Sequence, residues 1–489
     1  MIILYKKTML SQYGFPKEID NKVDLQLPQF VKSHNVKVTP SNTSSIVTSP
    51  QGGGTGVADA IIPLVGTSQN VIFDIPVGIA GQFIDHRFTT LDFTVQYEVT
   101  TKATTTGTSA YLRSGAHAWF DRSQLISQSG LVLEDINLYG VVQDQINQLT
   151  MNTSDRDSLA MNLGLLAEEN PSSNYSQGHA IASFQHATET PVGSSYYSYS
   201  IPLLSSLIGN QAKTFFDCRT NKLQLVLQTA AVVPVTLKTG TVSGSPVQPI
   251  VKMTLSNFSI NMQYLDVGLE GLKMLNKVSG LQYFTGKTYK VATATLPNTA
   301  AGYNSILTGI RGSSVNSIIT RVNENTLSLA ACANGIYDSK MPAATAMSYS
   351  INGVAVPANP INVCLQPASA FSHLQHCTPS FYNMDFKSCA IPARYCNYLI
   401  GSTLPTGSDS RIATTASSIE SLSQFAFGFS LERIASGGLL SGENLNSANT
   451  YLNINLNSSC TNNLTYIFIA KMDAIYILDP ASGEISVRL

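Results

Sequence analysis

Hydrophobic and polar positions alternate with a period of two along much of this chain. Leu91, Phe93, Val95, Tyr97 and Val99 alternate with Asp92, Thr94, Gln96, Glu98 and Thr100, the pattern of a strand with one buried and one polar face. Phe425, Phe427, Phe429 and Leu431 alternate with small or polar partners. Leu452, Ile454 and Leu456 alternate with Asn453, Asn455 and Asn457, and a long apolar run spans Leu464 to Leu478. The same order occurs earlier, as Tyr197 to Ile201, Leu223 to Leu227 and Val251 to Tyr264. This recurrence predicts one β-domain plan used twice. Within the earlier series the buried phase slips from Val251, Met253 and Leu255 to Phe258, Ile260, Met262 and Tyr264, which predicts a β-bulge or a change of buried face at Ser256-Asn257.

Other segments change the period. Leu125 to Gln128 and Leu131 to Glu134 read as two short strands about Ser129-Gly130. Leu138, Val142, Gln145, Ile146 and Leu149 fall at helical spacing, although Gly140 disfavours a helix. A second helix is expected from Ser154, with Asp155 and Asp157 near its positive end and Leu159, Leu163 and Leu166 as its buried stripe. Pro202 stops a strand before a short apolar helical turn over Leu203 to Ile208, ended by Gly209. Leu269, Leu272 and Leu275 predict a helix within Gly268 to Gly280. Beyond it come strands in Leu281 to Leu296 and Ser317 to Val322, a hairpin at Asn352-Gly353, a short helix near Phe371 to Cys377, and a turn at Ser482-Gly483 before a last strand, Glu484 to Leu489.

These elements divide the chain into an arm and Gly-rich linker at 1–56, a first β-domain at 57–270 and a second at 271–489, joined near 268–280. With 489 residues, the length prior of roughly two to four domains accommodates this. The fold class is all-β, with regular strands and interspersed short helices favouring sandwiches over a parallel α/β sheet.

Composition adds a constraint on surface chemistry. The chain is 43% hydrophobic but only 12% charged, about half the usual charged share. Ser, Thr, Asn and Gln therefore supply much of the polar surface, which suits packing against other subunits because burying an amide costs less than burying an ion. The 29 basic and 30 acidic residues leave a net charge of −1, so no bulk attraction to nucleic acid or an anionic membrane is expected. The first forty residues are only mildly basic. Met1 to Leu10 is too short and wrongly ordered for a signal peptide, and no stretch approaches a membrane span. The expectation is folding in a reducing cytosol. Seven cysteines, odd in number and sparse, argue against a disulfide framework, and sequons such as Asn174 and Asn463 are read as chance.

Candidate chemistry is scarce. Gly52-Gly53-Gly54 and Gly56 lack the Gly-Lys-Ser/Thr of a phosphate loop and read as a hinge. The paired acids Glu134-Asp135 and Glu168-Glu169 read as solvated helix ends rather than glycosidase carboxylates. His117, His179 and His186 have no recognisable nucleophile partner, and the tyrosines and phenylalanines fall on strand faces without adjacent basic residues. One cluster stands out: Cys364, His373, His376, Cys377, Cys389 and Cys396. His373, His376, Cys377 and Cys389 are the candidate ligands of a tetrahedral zinc site. No CxxC pair supports it, and buried apolar cysteine is the competing reading. No catalytic residue and no cofactor are expected.

The order of features from Ser195 to Ala230 is more specific: an aromatic strand, Ile201-Pro202-Leu203-Leu204, a short helix, Gly209, Lys213-Thr214-Phe215-Phe216, then the strand Lys222 to Thr229. It resembles viral jelly-roll capsid proteins where one strand ends and the next begins. His117-Ala118-Trp119-Phe120-Asp121-Arg122, Gly130 to Glu134 and the helix through Tyr139 resemble the corresponding part of double-jelly-roll major capsid proteins, and Phe425 to Leu489 is similar to the last strands of their second roll. The resemblance implies two tandem eight-stranded antiparallel jelly-roll sandwiches per chain. It also implies homotrimers of pseudo-hexagonal outline that self-assemble into an icosahedral virion, with loops building outward towers. The implied partners are other copies of the chain, penton proteins and minor capsid proteins, without sequence-specific nucleic-acid binding. An internal membrane is an arrangement found in several of that group. The implied location is the virion, after synthesis in the host cytoplasm. The candidate interface residues are the arm, Met1 to Ser49, and the linker near Gly268 to Gly280. The alternative is a β-sandwich binding module, a lectin, adhesin or virion spike, with an enzyme on a β-scaffold as a third class.

Overall fold

The computed structural model describes residues 31–47, 61–65, 68–99, 108–112, 115–151, 153–164, 180–184, 194–238, 251–274, 280–324, 337, 339–377, 395–396, 404–410, 412, 424–432, 441–460 and 462–489. The strands of the first half are β1 (Lys32–Val38), β2 (Ser45–Val47), β3 (Ile61–Val65), β4 (Asn70–Ile75), β5 (Gln82–Val99), β6 (Thr108–Leu112), β7 (Phe120–Ser127), β8 (Val132–Asn137), β9 (Ala180–Phe184), β10 (Ser194–Pro202), β11 (Phe216–Asp217), β12 (Leu223–Thr229), β13 (Val232–Lys238) and β14 (Val251–Asp266). Those of the second half are β15 (Gln282–Leu296), β16 (Gly302–Leu307), β17 (Val315–Glu324), β18 (Ala344–Ile351), β19 (Val354–Ile361), β20 (Phe427–Ser430), β21 (Thr450–Leu456), β22 (Leu464–Asp479) and β23 (Glu484–Arg488). Four α-helices are described: α1 (Tyr139–Thr150), α2 (Thr153–Leu163), α3 (Gly268–Met274) and α4 (Pro367–Gln375). Among the described residues no helix is long and apolar enough to cross a membrane.

Sheet order identifies the topology. In the first half the sheets run β1-β14-β5-β10 and β4-β12-β7-β8. With their eight strands numbered along the chain, these are orders 1-8-3-6 and 2-7-4-5, the jelly-roll arrangement. In the second half β15-β22-β17-β20 and β16-β21-β18-β19 repeat both orders. The chain is thus two tandem antiparallel jelly rolls. The recurring series in the sequence is strands six, seven and eight of each roll: β10, β12 and β14, then β20, β21 and β22.

The first roll carries an additional sheet, β3-β13-β6-β9. These strands lie in the connections between roll strands one and two, three and four, five and six, and seven and eight. Consecutive strands alternate in direction, so all four connections emerge at the same end of the roll. The sheet is an extension built on that end.

Local sequence explains several elements directly. Leu91, Phe93, Val95 and Tyr97 of β5 are buried, and Phe93 meets Phe120 edge-on at 5.2 Å. The predicted phase slip is a bulge: the pairing of β14 with β5 shifts between Ser256 and Ser259, and Asn257 has φ 55°. The extra residue lets Met253 and Leu255, then Phe258, Ile260, Met262 and Tyr264, face one core. Asn352 and Gly353, at φ 50° and 82°, form the tight turn between β18 and β19. Gly140 is required within α1, since a Cβ there would lie 2.3 Å from the Tyr337 hydroxyl.

Other expectations are corrected. Residues 32–47, read as part of an arm without periodicity, hold β1 and β2, both paired with β14. β1 is mostly exposed, so backbone pairing holds it and no alternation announces it. Leu203 to Ile208 is a buried turn rather than a helix; the Asn210 N–H returns to the Leu203 carbonyl at 2.9 Å. In α2 Leu163 is buried but Leu159 is exposed, because helical spacing sets which residues share a face without supplying a neighbour for it. The helix near Phe371 to Cys377 begins earlier, with Pro367 in its first turn. Glu134 lies on β8, buried, and is no solvated helix end. Residues 1–30, the run Gly52 to Gly56, Leu166, Glu168, Glu169, Asn174, His179, His186, Leu275, Cys332 and Cys389 lie outside the described residues.

Candidate functional site

No constellation of a nucleophile and base emerges from the described residues. The conspicuous chemistry is the seam between the two rolls, where buried charged groups gather in a chain with few charges.

Glu134 is one hub of this seam. Its carboxylate accepts hydrogen bonds from Ser205 Oγ (2.7 Å), Ser206 N (3.0 Å), Ser206 Oγ (2.6 Å) and Thr288 Oγ1 (3.0 Å). Ser206 Oγ also shares a hydrogen bond with the Tyr476 hydroxyl. One carboxylate therefore joins β8 and the 203–209 turn of the first roll to β15 and β22 of the second. Burial raises its pKa, and the donated hydrogen bonds oppose that rise. Its neighbour Asp135 instead pairs with Arg122 at 2.7 Å on the half-exposed surface.

A second hub joins α1 to β17. Arg321 Nη1 donates to Asp144 Oδ2 at 2.8 Å, and its Nη2 donates to the Tyr337 carbonyl at 2.8 Å. Gln148 also donates to Asp144 Oδ2, at 2.8 Å. Both charges are buried, and an ion pair taken out of water persists only when further hydrogen bonds satisfy it. His117 lies beside this pair; its burial, partly offset by Asp144 and reinforced by Arg321, pushes the imidazole down to about 4.

A third cluster lies on the β15-β22-β17-β20 sheet of the second roll. Lys287 and Asp473 are directly paired across β15 and β22, and the Lys287 ammonium donates to Asp473 and, at 2.9 Å, to Asn316 Oδ1. Ser314 and Asn316 donate to the same carboxylate at 2.6 Å and 3.1 Å. Burial would raise the Asp473 carboxyl, but these hydrogen bonds outweigh it and hold it below its ordinary value. Backbone contacts close the seam nearby. Lys213 N donates to the Thr285 carbonyl at 2.9 Å, and Lys287 N donates to the Gln211 carbonyl at 3.0 Å. Gly286 fits only as glycine, since a Cβ would lie 2.0 Å from the Ser206 carbonyl oxygen.

The zinc candidates are arranged otherwise. His373 and His376 are partly buried with ring centroids 6.1 Å apart, and His373 packs on the Phe429 ring at 4.9 Å. Cys377 is buried, and its thiol donates to the His373 carbonyl at 3.6 Å. Burial pushes that thiol above its ordinary range. Among the described residues no three His, Cys, Asp or Glu side chains gather as a metal site; Cys389 lies outside them. Cys364 and Cys396 are buried. Of the interface candidates near the linker, Leu272 is buried, whereas Leu269 and Leu281 are 63% and 50% exposed.

Sequence reasoning missed the seam. Its residues carried a usable signal, because Lys471 and Asp473 interrupt the apolar run of β22, and Lys287 interrupts β15. A charge within a long buried strand announces a partner elsewhere in the fold.

No protein-family model matches the chain, and no curated protein does. Among solved structures, the fold is similar to the Faustovirus major capsid protein, with a TM-score of 0.51 and 9% identity over 92% of this chain and 90% of that one. It is also similar to a chain of the Sputnik virophage structure, with a TM-score of 0.50 and 10% identity over 92% and 89% of the two chains. At such identities the likeness is one of fold.

Proposed function

We propose that this chain is a major capsid protein, whose work is self-association into the shell of an icosahedral virion. The observation that carries this reading is the repeated jelly roll with a buried polar seam. Two similar rolls fixed side by side give one chain two comparable flanks, and three such chains around a threefold axis form a ring of six similar units. Rolls that moved freely against each other would not tile; Glu134 and the Arg321–Asp144 pair oppose such movement. The sparsely charged surface suits extensive contact between copies. The fold shared with the Faustovirus major capsid protein and the Sputnik virophage chain supports the same reading.

In this proposal 271–489 is the second domain, and the first, expected at 57–270, also takes in β1 and β2. The arm preceding β1 orders against a neighbouring copy or beneath the shell, and the exposed Leu269 and Leu281 contribute to contacts between copies. The four-stranded extension of the first roll faces outward as a tower. Penton and minor capsid proteins are the further partners, and the virion is the location. No residue performs a chemical step.

Mass photometry and electron microscopy of the purified full chain test this. The expected result is trimers of pseudo-hexagonal outline, with larger assemblies at higher concentration. A stable monomer at every concentration and salt condition would overturn it.

A further inference from the structure

The seam holds a partly open cavity of about 390 Å³, within the size range of small-molecule sites. Val142, Ile146 and Leu149 of α1 line it together with Ile319 and Ile469 of the β15-β22-β17-β20 sheet of the second roll. Three lysines also line it: Lys213 from the loop after β10, Lys287 from β15 and Lys471 from β22.

The cationic groups differ in how they are satisfied. Lys287 is committed to Asp473 and Asn316, with Glu432 3.8 Å away. Lys471 makes no hydrogen bond or ion pair among the described residues. The charges acting on it are the repelling Lys287 and Lys213 and the attracting Glu432. Burial, with Lys287 next, brings its ammonium down to about 8, so it stays mostly charged at neutral pH. A partly buried ammonium with no hydrogen-bonding partner and only Glu432 as a nearby opposite charge is costly, and it lines a mostly apolar chamber.

We infer that this cavity is a binding site for a single-chain carboxylate amphiphile of the fatty-acid class, its carboxylate on Lys471 and its chain along Ile146, Leu149 and Ile469. One ammonium without a hydrogen-bonding partner calls for a monoanion rather than a phosphate, and the apolar walls call for an alkyl chain. The site is bounded by both rolls, so an occupant would add a contact across the seam. The inference is independent of the shell function, since it rests on the cavity alone.

Isothermal titration of the full chain with decanoate is the test, with acetate, inorganic phosphate and decylammonium as comparison ligands. Decanoate should bind with one site per chain and raise the thermal midpoint, while acetate and decylammonium do neither. Lys471→Met should weaken decanoate binding about tenfold or more, the worth of one charged hydrogen bond. Ile146→Trp should block the chain without touching the lysine, which keeps the test decisive if Lys471→Met fails to fold. No binding of decanoate, undiminished binding by both variants, or phosphate binding as tight as decanoate would each overturn the inference.

Discussion

Several buried ionisable residues, Glu134, Asp144, Arg321, Lys287 and Asp473 among them, are held by neighbours from another element, which makes their protonation part of the fold's stability. His117 is 1% exposed, and its pKa falls from an ordinary 6.5 to about 4. As the pH drops below 6.5 the unfolded chain takes up a proton that the folded chain refuses, so stability declines until the folded imidazole also titrates near 4. The integrated loss is about 3 kcal/mol. Urea unfolding at stepped pH should show this decline, and His117→Gln should flatten it by a comparable amount. Retention of the full slope in the variant would assign it to carboxylates instead. None of this was visible at residue level in the sequence. His117 stood beside no partner there, and Asp144 and Arg321 are brought to it by α1 and β17.

Elements show a different balance. The long strands, the bulge and the tight turns were legible because each is specified by its own residues: period-two alternation for β5, β12 and β21, a long apolar run for β22, a phase slip for Asn257, and Asn-Gly for the 352–353 turn. The bulge makes a sharp prediction. Deleting Asn257 removes the extra residue, so either the Val251–Leu255 segment or the Phe258–Tyr264 segment must turn its apolar side outward. Several large side chains would then lose burial, at roughly 1.5–3 kcal/mol each, and the variant should be recovered as insoluble protein, whereas Asn257→Gly should remain folded with a midpoint close to the parent. A soluble deletion variant of parental midpoint would show that the register is set elsewhere. β1 and the 203–208 turn were misread for one shared reason. Backbone pairing with β14 forms the first, and hydrogen bonds donated by the turn to distant groups, Glu134 and Tyr139 among them, hold the second, so neither has a local pattern of its own.

At the scale of the whole molecule the two rolls should behave as one cooperative unit, because their contact includes buried charged groups that neither half satisfies alone. Calorimetry should show a single unfolding transition for the parent. Arg321→Ala leaves Asp144 buried without its cation, a loss of about 3–5 kcal/mol, and should lower the midpoint and separate the transitions of the two halves. Two resolved transitions in the parent would mean that the seam does not couple the rolls. The sequence by itself determined that the chain is β-rich, that one order of strands recurs, and where most strands begin and turn, since alternation and turn chemistry are local consequences of side-chain direction and backbone freedom. Tertiary structure alone decided which strands became neighbours, which connections gathered into the additional sheet, and how two rolls were joined. Pairing across long separations leaves no local periodic trace. A charge such as Glu134 or Lys471 also reads as surface until the fold shows what surrounds it.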